Sequence, residues 1–426
     1  MSDFEVHLAS VARSLIVLMF CFGQAGCSPD PGETPTPTEV SAPAANRPDV
    51  VMITLDTTRR DHIGCYGRTP SLTPNIDRLC ARARRFDNAV AVAPVTLPAH
   101  ASMMTGRYPP AHGARYNGET QLPSSATTLA ELLAQQGYAT SAFVSSFVLD
   151  RRFGLDQGFD AYDDRVDASG SAFAATGNER SARATIDAAL AAWSRRSIDR
   201  PQFLWVHLFD AHAPYAALPG QSATDAERYA EEIRSVDRQL GRLLELGAVV
   251  GLTADHGMNA KQRTDGSPNV IYLESTLESE FGPGFRVILP ITDPYVVHHG
   301  ALGSFAQVHL PSGQRSLLES VINFTRNLPG ITEVLDQETA ARLMELPRDR
   351  MGDLVVCSGR DVVIGRTPEW HDLSVIEGGL RSHGGRYEEM VPFVFSAPLN
   401  AQYAARAKGD PRNFDLFDFL CNGTNA

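Results

Sequence analysis

Three apolar runs that each stop at an aspartate constrain this chain most: PDVVMITLD (48–56), QFLWVHLFD (202–210) and AVVGLTAD (248–255). A short, continuous, β-branched run reads as a strand buried on both faces, which is the habit of parallel sheet. YATSAFVSS (138–146) and VPFVFSAP (391–398) read the same way. Between them lie segments of helical period, SATTLAELLAQQG and AERYAEEIRSVDRQLGRLLELG, each closed by a glycine as at a helix end. Alternation of this kind predicts an α/β fold of three layers, α/β/α, around a mostly parallel central sheet.

Sites in such sheets form beyond the carboxyl ends of the strands. Asp56, Asp210 and Asp255 stand there, and His256 follows directly in GLTADHGMNAK. A single strand-end aspartate is an ordinary cap or turn residue. Three of them with an imidazole point to a metal site. Mixed carboxylate and imidazole ligation suits zinc, or manganese, better than calcium.

The 426 residues exceed what one core usually serves, so a large domain with an insertion is expected. Residues 262–376 break the alternation with Gly/Pro-rich turns and short strand-like runs, and read as an inserted cap subdomain between two parts of the core, 48–261 and 377–426. His383 arrives just before the last strand.

At the front, LIVLMFCFG (15–23) is too short to span a bilayer and leads into QAGC. Residues 1–27 read as a signal peptide, of lipoprotein type if Cys27 is lipidated and ordinarily cleaved otherwise. Residues 28–47 are Pro/Thr/Ala-rich and read as an extended tether. The expected location is therefore periplasmic or membrane-tethered, with a lipid anchor as the membrane contact, or cytoplasmic if the leader is not functional.

A net charge of -12 argues against nucleic acid as a partner. Lysine is confined to Lys261 and Lys408, so arginine carries the positive charge. Cys65, Cys80, Cys357 and Cys421 lack C-x-x-C spacing and are expected as separate, mostly buried thiols.

The stretch PVTLPAHASMMTGRYPPAHG (94–113) starts as a loop and continues as a helix, placing Thr96 near a helix N-terminus, where backbone N–H groups favour an anion. Thr96 reads there as a cap, or as a nucleophile if a metal lowers its pKa.

At these residues the chain resembles the alkaline phosphatase superfamily, in two parts. RPDVVMITLDTTRRDHIGCYG, TPNIDRL, TLPAHASMMTGRYPPAHG and FLWVHLFDAHAPY resemble the sulfatase branch. GAVVGLTADHGMNAK, PNVIYLES, LPRDRMGDLVV and LRSHGGRYEEMVPFVFSAPL resemble the phosphonoacetate hydrolase family. Thr96-Leu97-Pro98-Ala99-His100 stands where sulfatases carry C/S-x-P-x-R, so both the residue converted to formylglycine and the arginine are absent.

The resemblance implies an alkaline phosphatase-like fold and two divalent metal ions, Zn2+ or Mn2+. It implies that Asp56, Thr96, Asp255 and His256 surround one metal, and that Asp210 and His383 belong to the other. His212 is a further ligand or a substrate contact. Asn117 hydrogen-bonds a phosphonate oxygen or is a turn residue before Gly118. His62, His112, His298, His299 and His309 are expected to be structural. Arg107 and Arg115 are expected to be solvated or helix-capping. The expected reaction is cleavage of the C–P bond of phosphonoacetate through phosphothreonine. The alternatives are a sulfatase-like or phosphodiesterase-type hydrolase of an extracytoplasmic ester, and a catalytically impaired metal-binding surface protein. The partner in either enzymatic case is a small anionic phosphonate or ester.

Overall fold

The central sheet has seven strands, in the order Arg84–Arg85, Phe393–Phe395, Val249–Ala254, Val50–Leu55, Gln202–Leu208, Ala139–Phe143 and Ala161–Asp163. The last five run parallel, while Phe393–Phe395 is antiparallel to Val249–Ala254 and to Arg84–Arg85. This is the expected α/β architecture with a mostly parallel central sheet. The computed structural model describes residues 47–166, 179–213, 215, 224–289, 291, 302–374, 376 and 379–424. The leader, nearly all of the tether, His298 and His299 lie outside these residues.

Strands Val50–Leu55 and Gln202–Leu208 are buried at every position, as their unbroken apolar runs require. The helix Asp225–Leu243 opens with a capping box between Thr224 and Glu227. It buries Tyr229, Ile233, Val236, Leu240 and Leu243, the stripe that its period sets. Buried Asp237 on the same helix accepts the Asn75 and Ile76 N–H groups at 3.0 and 2.9 Å, capping the Pro74–Cys80 helix from a distance.

A four-stranded antiparallel sheet, Ile331–Asp336, Leu354–Ser358, Phe305–His309 and Arg286–Ile288, lies within the region of broken alternation. It has its own apolar cluster, including Leu273, Leu277, Val287, Val308, Val321 and Val356.

The cysteines depart from expectation. Cys65 and Cys80 form a disulfide, whereas Cys357 and Cys421 are free. Asp77 is the physical reason for the proximity: its carboxylate accepts the Cys65 N–H at 2.7 Å and the Thr73 hydroxyl at 3.2 Å, folding the loop back on the helix that ends in Cys80.

Candidate active site

Strand register makes the first juxtaposition. Leu55 pairs with Leu208 on one side and with Ala254 on the other, so Asp56 and Asp255 leave neighbouring strands at one level. Both carboxylates are fully buried, and among the described residues Asp56 Oδ1 and Asp255 Oδ2 have no hydrogen-bond donor. Burial, then repulsion from Asp255, pushes the Asp56 carboxyl up to about 8, against the pull of His212, His256 and the Thr96 hydroxyl. Buried carboxylates with an unpaired oxygen are costly unless a cation meets them.

The turn after Asp56 is strained and over-determined. Thr57 has φ 47°, a left-handed conformation that a β-branched residue adopts at a cost. Three hydrogen bonds hold it: its N–H donates to Asp255 Oδ1 at 3.0 Å, its hydroxyl donates to Ala211 O at 2.8 Å, and its carbonyl accepts the Tyr229 hydroxyl at 2.8 Å. Asn413 braces the neighbouring strand end, its Nδ2 donating to Ala254 O and Asp255 O at 3.1 and 3.2 Å.

Thr96 is the first residue of the Thr96–Thr105 helix and is nearly fully buried. Its hydroxyl donates to Asp56 Oδ2 at 3.3 Å. The N-cap position is Val95, which has no side chain able to cap. Asn117 supplies the cap, accepting the Leu97 N–H on Oδ1 at 2.9 Å. With Oδ1 so committed, the donor end of the Asn117 amide is Nδ2.

His256 and His383 stack at 4.3 Å between centroids, so the two loops that carry them meet. His256 Nδ1 lies 3.0 Å from Gly257 O and Nε2 lies 3.4 Å from Asp255 Oδ2. Below them runs a buried polar network. Lys261 Nζ donates to Ser304 Oγ (2.7 Å), Arg360 O (2.7 Å) and Glu388 Oε1 (3.0 Å). Glu388 also accepts from Asn259 Nδ2 and, at 3.0 Å, from the Gly385 N–H, while its carbonyl accepts the Gly257 N–H at 2.8 Å. Burial pulls the Lys261 pKa down, against the attraction of Glu388.

Asp210 and His212 are placed differently from the other candidates. Both Asp210 oxygens accept the Ala182 N–H, at 3.0 and 2.8 Å, where the Ala182–Ser194 helix begins. His212 stacks on Phe209 at 4.4 Å, with Nδ1 2.5 Å from Ala213 O. Glu179, which sequence reasoning passed over, joins this acidic group: burial, then Asp210, Asp56 and Glu232, pushes its carboxyl up to about 8. Among the described residues, no three His, Cys, Asp or Glu side chains are drawn together as a metal-ligand set.

Two further histidines line the back of the site. His207, inside a strand, puts Nε2 3.4 Å from Asp56 Oδ2, while its Nδ1 faces the Ser145 N–H at 3.4 Å. That pairing assigns the proton to Nε2. Burial pushes its pKa down to about 4. The signal for it was a polar residue in an otherwise apolar run. His100, at the position where sulfatases carry arginine, is turned into the core: Nδ1 lies 2.8 Å from Thr96 O and Nε2 3.1 Å from Thr54 Oγ1. His112 is structural, 2.9 Å from Ser102 Oγ and accepting the Ala114 N–H at 3.2 Å.

A family model described as sulfatase matches residues 48–280. N-acetylgalactosamine-6-sulfatase of Homo sapiens is 26% identical over 246 residues, covering 48% of this chain and 47% of that protein. Steryl-sulfatase of Homo sapiens is 34% identical over 113 residues, covering 24% of this chain and 19% of that protein. The chain thus spans less than half the length of these curated relatives. Among solved structures, phosphonoacetate hydrolase from Sinorhizobium meliloti 1021 in complex with phosphonoformate has TM-score 0.66 and 30% identity, covering 88% of this chain and 95% of that one. Murine ectonucleotide pyrophosphatase/phosphodiesterase 5 shares the fold, with TM-score 0.55 and 16% identity over 89% of this chain and 98% of that one.

Proposed function

Because the chain belongs to the sulfatase family of the alkaline phosphatase superfamily, whose members are hydrolases, we propose that it is a metal-dependent phosphonoacetate hydrolase with Thr96 as nucleophile. The observation that carries this reading is the Thr96 hydroxyl, buried at a helix N-terminus and donating to Asp56. A secondary alcohol cannot be oxidised to an aldehyde, so Thr96 is unsuited to formylglycine chemistry and suited to attack as an alkoxide. The phosphonate substrate is supported by the 30% identity to phosphonoacetate hydrolase across 95% of that structure.

The donor set fits a divalent cation by its chemistry. Asp56 and Asp255 each bury an oxygen without a donor among the described residues, and His256 and His383 stack on each other at the same site. Asp56, Thr96, Asp255 and His256 would hold one ion, and His383 a second, toward which Asp210, now engaged by the Ala182 N–H, and His212 would turn. Bound there, zinc or manganese lowers the pKa of the hydroxyl and of water and offsets the charge on the reacting phosphorus group.

Asp56 Oδ2 holds the Thr96 hydroxyl in place for attack. The Thr96 hydroxyl gives its proton to solvent as Oγ1 bonds to phosphorus, and the C–P bond breaks, its electron pair leaving on carbon as an enolate of acetate that takes a proton from solvent. Asn117 Nδ2 donates to a phosphonate oxygen, and the N-terminal turn of the Thr96–Thr105 helix offsets negative charge near Thr96. Water then hydrolyses the phosphothreonine, releasing phosphate and restoring the hydroxyl.

A second reading, a sulfatase-like or phosphodiesterase-type hydrolase of an ester, is favoured by the family match over residues 48–280. A substrate panel with the zinc-supplemented protein separates the two. Phosphate and acetate released in equal amounts from phosphonoacetate supports the first. Turnover confined to aryl sulfates, aryl phosphates or phosphodiesters overturns it in favour of the second.

A further inference from the structure

Resting on the phosphonate-hydrolase reading, we propose that Arg381, with the Tyr215 hydroxyl, is the subsite for a second anionic group of the substrate, a carboxylate on the carbon side of the scissile bond. The Arg381 guanidinium lies over two aromatic rings, 5.2 Å from the centroid of Tyr215 and 5.2 Å from that of Tyr229. The rings themselves meet edge to face at 5.8 Å. A guanidinium held by ring faces keeps its in-plane N–H donors for another partner.

Arg381 Nε is buried and meets no acceptor among the described residues, and the Tyr215 hydroxyl is buried in the same condition. Asp225 feels the charge of Arg381, yet no carboxylate among the described residues comes within ion-pair distance of it. Two other half-buried arginines are neutralised: Arg366 pairs with Glu274 at 2.9 Å and Arg386 with Glu333 at 2.9 Å. Burial also raises the Tyr215 pKa, so its hydroxyl stays a donor.

The cluster borders the reaction centre by connectivity and contact. Arg381 pairs with Ala260 in a short antiparallel ladder, two residues before His383, whose ring stacks on His256. Tyr229 is the residue whose hydroxyl holds the Thr57 carbonyl beside Asp56. Tyr215 follows His212 by three residues. A planar fork plus a phenol offers a carboxylate three donors, and bidentate guanidinium contacts are selective for that geometry. Lys261 cannot serve, because its ammonium is spent on Ser304, Arg360 O and Glu388.

Calorimetry on the zinc-supplemented full chain tests this with phosphonoacetate against methylphosphonate, which lacks the carboxylate. Phosphonoacetate should bind about 10- to 100-fold more tightly. Arg381→Ala should bring the ratio near one and Arg381→Lys should restore part of it. Tyr215→Phe removes a hydroxyl that bonds nothing among the described residues and should lower the ratio with melting unchanged. An equal affinity for both ligands in the unaltered protein, or a ratio that survives Arg381→Ala and Tyr215→Phe, overturns the subsite. An Arg381-dependent preference without phosphate release keeps the subsite and overturns the hydrolase reading. Phosphate release with a preference indifferent to Arg381 does the reverse.

Discussion

The Asp255 carboxylate accepts the backbone N–H of Thr57 at 3.0 Å, so the acid at the end of one parallel strand fixes the turn that carries the acid of its neighbour. Thr57 is held left-handed by this bond, and Asp56 is thereby aimed at the Thr96 hydroxyl.

Thr96→Ala should lower kcat on phosphonoacetate by about a thousandfold or more, because the attacking oxygen is gone. Thr96→Ser keeps the oxygen and should retain measurable turnover. Steady-state phosphate release checks both, and the melting temperature of Thr96→Ala should stay close to the parent.

Asn117 caps the helix that begins at Thr96 and is assigned a phosphonate oxygen. Asn117→Ala should cost about 1 kcal/mol of stability through the lost cap. It should also lower kcat by about a hundredfold or more, as loss of a donor to developing charge does. Urea unfolding and steady-state kinetics on one preparation separate the two effects.

The buried Lys261–Glu388 pair ties the loop after His256 to the loop after His383. Lys261→Met leaves the Glu388 charge uncompensated and should destabilise by about 3–5 kcal/mol. Adding Glu388→Gln to it removes that charge and should recover part of the loss. Denaturant midpoints of the two variants decide the sign.

His100 and His112 are neutral at pH 7, burial holding their pKa values down to about 3 and about 4. The unfolded chain binds these protons below about pH 6.5 while the folded chain does not. Their contribution to stability is therefore fully present above pH 6.5 and is lost as pH falls toward 4. Imidazole proton signals of both residues should not titrate between pH 7 and 5, and a midpoint above 6 for either contradicts the burial described here.

What was legible in the sequence, and what was not, follows from the range of the forces involved. Asp56 and Asp255 stood out because each ends an apolar run, and register then places them side by side without further information. Asp210 ends a run too, yet its carboxylate is engaged by the Ala182 N–H, a contact 28 residues away that no local pattern encodes. His207 was hidden by its surroundings, since a polar residue within a buried strand looks like an exception rather than a neighbour of Asp56. Glu179 has no motif at all and gains its meaning from the acids packed around it. The Cys65–Cys80 bridge was missed for the same reason, because Asp77, not cysteine spacing, brings the two together.

The most direct test of Thr96 as nucleophile is mass spectrometry of peptides from protein quenched in acid during turnover of phosphonoacetate. A peptide carrying Thr96 with the added mass of one phosphoryl group, absent from Thr96→Ala, is the expected result. Sustained phosphate release with no phosphorylated Thr96 peptide at any quench time, or full activity in Thr96→Ala, contradicts it.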